Sequence, residues 1–141
     1  MIAYGALSDE TRAEVIWQPD NVTSDMTPPD AFQKYCLPSY RKHGGRAKRV
    51  GRPYVVHLDG KLRALVGLID QAVLDVVESF SLPDIGGDLT LQEARTALTG
   101  KVVIPSFPSN WSLKSDNEVE SLLRDLLDEA DTEIPFMLQV S

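Results

Sequence analysis

His57, Asp59 and Glu78 are the residues of this sequence whose types and spacing could do chemistry. An imidazole that ionises near neutral pH and carboxylates that accept hydrogen bonds are the usual parts of acid–base catalysis, and both also ligate zinc. His57 and Asp59 stand two residues apart, so a strand running through them aims both at one side. Glu78 closes a second apolar run, where a carboxylate needs a partner or water. The expectation is a site at one sheet edge in which His57, Glu78 and Asp59 act as catalytic groups. Asp20, Asn21 and Ser106 fall in turn-rich segments beside expected strand ends and are the candidate substrate contacts. Each has a plainer role to weigh: a hydrogen-bonded structural histidine, a helix cap at Asp59, a turn former at Asp20.

These residues need strands to carry them. Residues 54–58 form a short β-rich apolar run, Asp59-Gly60 turns the chain, and Leu62, Leu65, Val66 and Ile69 repeat at the i, i+3, i+4, i+7 spacing of one helix face. Residues 73–80 supply the next strand, so residues 54–80 read as a right-handed parallel crossover. Upstream, residues 14–17 look like a first strand and residues 18–29 like a loop. Residues 30–43 look like a helix kinked at Pro38 and weakened by Gly44-Gly45. Downstream, Thr90 with Glu93 and Ser115 with Glu118 have the spacing of capping boxes for two helices. Residues 101–104 read as a fourth strand and residues 136–140 as a fifth. Residues 1–12 form a loose N-terminal segment, and residues 13–141 form one α/β unit of about five parallel strands alternating with four helices. That alternation fits either an open doubly wound sheet or part of an eight-stranded barrel.

Composition narrows the classes. The 141 residues suffice for one domain, and the hydrophobic share of 43% is ordinary for a globular chain. A net charge of −7 argues against general nucleic-acid binding. The basic residues Arg41, Lys42, Arg46, Lys48, Arg49 and Arg52 cluster before a strand begins, whereas ligands of parallel sheets gather where strands end, so the cluster reads as a solvated helix end. No apolar run approaches a membrane span, and the opening MIAYGALSDETRAEV lacks the basic start and apolar centre of a signal peptide, so a cytoplasmic setting is expected. Cys36 is the lone cysteine, which excludes an internal disulfide and a cysteine-based zinc site within the chain. Trp17 and Trp111 are expected to be packing residues, Trp111 with a possible place in a pocket wall.

The succession PYVVHLDGKLRALVGLIDQAVLDVVESF, LTLQEARTALTGKVVIPSFPSNWSL and EVESLLRDLLDEAD, preceded by PDNVTSDMTPPDAFQKYCLPSYRK, resembles the C-terminal half of the uroporphyrinogen decarboxylase superfamily. That superfamily also holds corrinoid-linked methyltransferases. The resemblance covers residues 13–140 and implies a partial TIM (β/α)8 barrel, in which this chain holds the last five strands. It further implies a lyase of porphyrin biosynthesis that decarboxylates a tetrapyrrole without a cofactor. The family's arginine pair, aspartate, tyrosine and late histidine have no counterparts here, so a chain truncated in this way is expected to be inactive alone. Asn21 lies near the family's first-loop serine. The methyltransferase branch places a zinc-binding His-x-Cys where this chain has His57-Leu58-Asp59, so the resemblance implies, as the alternative, zinc-assisted methyl transfer with a corrinoid protein, the zinc held by His57 and Glu78 with Asp59 or Asp20 as a further oxygen ligand. A third reading is a non-catalytic assembly subunit. The implied partners are a small molecule, either a tetrapyrrole or a methyl donor, and a second copy of the chain or a missing N-terminal half, because an open half-barrel exposes strand edges. Neither a nucleic acid nor a membrane is implied.

Overall fold

The computed structural model describes residues 12–130 and 137–139. Its centre is a four-stranded, all-parallel sheet in the order β1 (Ile16–Val22), β2 (Tyr54–Leu58), β3 (Val76–Phe80), β4 (Val102–Pro105). The intervening helices are α1, built from Pro29–Ala31, a π-helical turn Phe32–Cys36 and Leu37–Arg49, then α2 (Val66–Asp70), α3 (Leu91–Ala97) and α4 (Asp116–Glu129). The α/β class and the parallel direction agree with the expectation. The strand count does not. The region expected as a fifth strand contributes one parallel bridge, Gln139 to Ser106, and the rest of it lies outside the described residues. Residues 1–11 of the expected loose N-terminal segment also lie outside them.

Strands laid down in sequential order, each reached by a right-handed crossover, put their helices on one face of the sheet. Burial follows that rule. Tyr54, Val56, Leu58, Val77 and Phe80 point into a single core with Phe32, Tyr40, Leu62, Leu65, Ile69 and Leu91, each 1% exposed or less. Each large apolar side chain buried there contributes about 1.5–3 kcal/mol. The opposite face carries Trp17 and Val102, 50% and 47% exposed, and no helix among the described residues covers it.

Several local expectations are corrected. β1 does not stop at Trp17 but runs through Pro19 to Val22. Proline lacks a donor, and an edge strand with a single neighbour and a register shift between Gln18 and Val22 has no ladder bond for it to break. Helix α1 continues past Pro38 to Arg49. The widened turn before the proline, in which the Leu37 amide bonds to the Phe32 carbonyl, absorbs it. Gly44 serves close packing. A Cβ at this position would lie 1.6 Å from the Val73 carbonyl oxygen, so only glycine lets α1 approach the α2–β3 connection. α2 is only five residues long, although the Leu62, Leu65, Ile69 stripe is buried as expected. β3 begins at Val76 rather than Val73; just before it, the Asp75 amide donates to the Tyr54 carbonyl at 2.9 Å and the Asp75 carboxylate accepts from the Tyr54 amide at 2.8 Å. Both capping boxes form as expected. The stripe of α4 is only partly used, with Leu126 buried and Leu127 41% exposed.

One ionic knot ties the loops at the strand ends together. Asp88 accepts from the amides of Leu62 and Arg63, and Arg63 binds the Asp88 carbonyl and both oxygens of Glu93. The Arg63 guanidinium and the Thr90 amide hold the Glu93 carboxyl below its ordinary range. A carboxyl depressed in the folded state adds stability above its unfolded value and loses it as the pH falls through the folded one. The acid limb of the stability curve should therefore be shallower in Glu93→Gln than in the parent when followed by urea unfolding from neutral pH downward. Gly44→Ala should cost about 2 kcal/mol or more in the same measurement, because the added methyl must displace backbone. An unchanged urea midpoint would contradict the packing at Val73.

Candidate functional site

The open face of the sheet carries the site. β2 and β3 pair with His57 directly opposite Glu78, and the two-residue alternation of the strands sends both side chains away from the helix-covered core. Trp17 on β1 pairs with Val55, so it stands on the same face. Its indole spans β2, and Nε1 donates to Glu78 Oε2 at 3.1 Å. His57 Nδ1 meets the same oxygen at 2.9 Å, and the indole and imidazole rings meet edge to face, 6.4 Å apart at 81°. The side chains of His57 and Glu78 keep 20% and 13% of their surface exposed, so the pair is sheltered but reachable.

Proton bookkeeping fixes the role of each group. An ionised carboxylate only accepts, and one of its oxygens already takes the Trp17 N–H. The bond to His57 therefore requires a proton on Nδ1, so in the neutral ring the lone pair lies on Nε2, directed elsewhere and available to a proton or a metal. Glu78 positions His57 rather than acting beside it, the arrangement in which carboxylates orient catalytic or metal-ligating imidazoles. This bears on the expected His57–Glu78 zinc pair, since the carboxylate oxygen is spent on the imidazole. Among the described residues no group of three or more His, Cys, Asp or Glu side chains could hold a metal ion, whereas a catalytic zinc takes three protein ligands. Zinc at His57 Nε2 would need its other ligands from outside these residues.

Asp59, expected beside His57, belongs to no such cluster, and it does not cap the next helix either. That helix starts later, at Val66 behind Leu65 and with no side-chain cap, and the amides of Leu62 and Arg63 ahead of it are taken by Asp88. Gly60, at φ +63, turns the chain away immediately after Asp59, and the Gly60 amide donates to Ser81 Oγ. Asp20 points to the covered face, where it accepts from the buried Tyr40 hydroxyl at 3.0 Å and from Gln18, whose own side chain bonds Tyr54. Burial and the neighbouring Asp20 charge push the Tyr40 phenol far above its ordinary value, so it stays a neutral donor. This chain of polar groups clamps β1 to α1 and β2, and Asp20 is a structural acceptor rather than a turn former. Asn21 is exposed near the end of β1. Ser106, 7% exposed just after β4, shares a 3.0 Å hydrogen bond with Ser79.

Sequence reasoning missed Trp17 and Ser79. The alternation Ile16, Gln18, Asp20, Val22 against Trp17, Pro19, Asn21 already separates the two faces of β1, but only when the strand is read past Pro19. Nothing local marks Ser79, whose φ of +63 arises in the β3 irregularity between Val77 and Phe80. A left-handed serine costs on the order of 1–2 kcal/mol. The basic residues Lys48 and Arg52 line a cleft with Asp75 and Val102 at the opposite, N-terminal ends of the strands, and that cleft does not reach His57. Trp111 packs edge to face on Phe107 and lines a separate cleft beside Leu126. No helix among the described residues is long and apolar enough to cross a membrane.

Nitrogen-15 spectra of the His57 ring should show the Nδ1–H tautomer in the parent chain. Glu78→Leu should return the ring toward the Nε2–H form that free imidazoles favour, and Trp17→Phe should leave the tautomer in place while loosening the carboxylate. A parent ring without a proton on Nδ1 would break the assignment. Beyond the chain itself, no protein-family model, no curated protein and no solved structure matches this sequence.

Proposed function

We propose that this chain forms part of a (β/α)8 barrel enzyme of the uroporphyrinogen decarboxylase type, in which the open sheet face is one wall of the active site and His57 is the proton-transferring group. The observation that carries the proposal is the sequential β1-β2-β3-β4 order combined with one uncovered face. A doubly wound sheet reverses direction at a switch point and covers both faces, whereas a barrel adds strands in sequence and turns its bare face inward. In that setting Trp17, His57 and Glu78 face the barrel interior, where loss of carbon dioxide from a tetrapyrrole acetate requires a proton to be delivered to carbon. His57 Nε2 is the atom of this chain suited to that delivery, with Glu78 and Trp17 holding the ring.

The remaining strands come from further polypeptide or from another chain. They would also bring the arginines or lysines that a substrate with many carboxylates demands, because the strand-end loops here carry Asp25, Asp59, Asp84 and Asp88. The 141-residue chain is accordingly expected to be inactive alone and to associate through its bare face, in a cytoplasmic setting. A second reading, zinc-assisted methyl transfer with a corrinoid protein, is favoured by the free Nε2, since a carboxylate on Nδ1 is how metal-ligating imidazoles are commonly held.

Three measurements separate these readings. Incubation of the purified chain with uroporphyrinogen should give no coproporphyrinogen, and clear turnover would contradict the requirement for completing strands. Light scattering should show a dimer or larger species, and a monodisperse monomer would remove the association. Stoichiometric zinc retained after equilibration and desalting, lost in His57→Ala, would move the assignment to methyl transfer. A zinc-free chain would leave the decarboxylase type.

A further inference from the structure

A cleft lies among the helices, between α4 and the turns that follow β3 and β4, and neither His57 nor Glu78 lines it. Its volume is about 210 Å³, and Leu82, Pro83, Trp111, Leu122 and Leu126 make its surface largely apolar. Hydrogen bonds hold the walls in place. The Asn110 side-chain amide donates to the Asp84 carbonyl at 3.3 Å, which ties the turn after β4 to the turn after β3. The Gln92 amide donates to Glu129 at 3.0 Å, which ties the start of α3 to the end of α4. Such ties leave the cleft preformed, as small-molecule sites commonly are.

The charge around this cleft has one sign. Asp84, Asp125 and Glu129 line it, and none of its nine lining residues is basic. Asp84 and Asp125 are exposed and enter no ion pair among the described residues, while Glu129 uses Oε1 on the Gln92 amide. Carboxylates that line a cleft without a counter-charge concentrate cations there and repel anions. The Trp111 indole N–H is fully buried, so recognition falls to the carboxylates and the apolar floor. The complement is an apolar body that carries an ammonium group. Because the volume is below the roughly 300–1,000 Å³ of drug-sized sites, that body is limited to about one ring. We propose that this cleft binds a small amphipathic amine, its apolar body against Trp111, Leu122 and Leu126 and its ammonium toward Asp84, Asp125 and Glu129. The site is separate from His57 and does not depend on the decarboxylase reading.

Titration of the nitrogen-15-labelled 141-residue chain with phenethylamine at neutral pH, compared with phenethyl alcohol, phenylacetate and methylammonium at matched ionic strength, tests the proposal. A ligand of this size is expected to bind in the millimolar range, which such titrations read. The amine should produce saturable shifts at the Trp111 indole N–H and at the Asp84 and Leu122 backbone amides. Phenethyl alcohol should bind roughly fivefold more weakly, because it loses the ion pairs, and neither phenylacetate nor methylammonium should saturate over the same range. Asp84→Asn and Asp125→Asn should each weaken the amine roughly two- to threefold, about the worth of one exposed ion pair, and the double variant should bring it close to the alcohol. Both positions are exposed, so these variants keep the fold. Added sodium chloride should weaken the amine and leave the alcohol unchanged. His57→Ala should leave amine binding unchanged, so this site and the acid–base assignment are read separately. Equal affinity for amine and alcohol, saturation by phenylacetate, no saturable shift with the amine, or full amine affinity in the double variant would overturn the proposal.

Discussion

The register that sets His57 opposite Glu78 is the constraint on which the site depends. In a parallel pair the side-chain period is two, so a slip of one residue would turn His57 toward the core and bring Val56 or Leu58 to the open face. The core prevents that slip. Tyr54, Val56 and Leu58 are each 1% exposed or less, and a slip of one residue would carry all three to the open face while burying the imidazole. Burial of the apolar half of β2 thus decides where its polar half stands, and the same holds for Val77 and Phe80 on β3.

Two polar systems lie on opposite faces of this sheet and do different work. On the covered face, Gln18, Asp20, Tyr40 and Tyr54 satisfy one another and tie the edge strand to its neighbour and to α1. Because an unpartnered buried carboxylate is costly, this chain locks the position of β1, and with it Trp17. On the open face, Trp17 and His57 converge on one oxygen of Glu78. The first system fixes the strand that carries the outermost member of the second, which links the carboxylate at position 20 to the one at position 78.

The one-sided sheet has a cost in exposed apolar surface. Val15, Trp17 and Val102 are 47–50% exposed, on or next to the face that bears the polar pair. An antiparallel sheet can leave one face to solvent with alternating polar residues, but parallel strands rich in valine are normally covered on both sides. The valines at 55, 76 and 102 match that composition, although no helix among the described residues lies over them.

Much of this was legible in the sequence. The apolar runs at 54–58 and 73–80, the stripe Leu62, Leu65, Ile69 and both capping boxes follow from local periodicity and side-chain chemistry, and they suffice for an α/β unit with His57 and Glu78 on neighbouring strands. Local chemistry misled wherever a distant partner overrode it. The turn formers from Gln18 onward read as a loop, yet the strand runs through them to Val22 beside a single neighbour; Gly44-Gly45 weakened a helix that in fact needs Gly44 to meet Val73; and Asp59 does not cap α2, while Asp88, 29 positions along the chain, takes the Leu62 and Arg63 amides. The Trp17 contact, the Ser79–Ser106 hydrogen bond and the Ser106–Gln139 bridge were decided only by tertiary structure, because each joins segments distant in sequence and depends on register and bulge rather than on adjacent residues. Sequence alone set which side chains each strand carries, and the packing of strand on strand determined which of them meet.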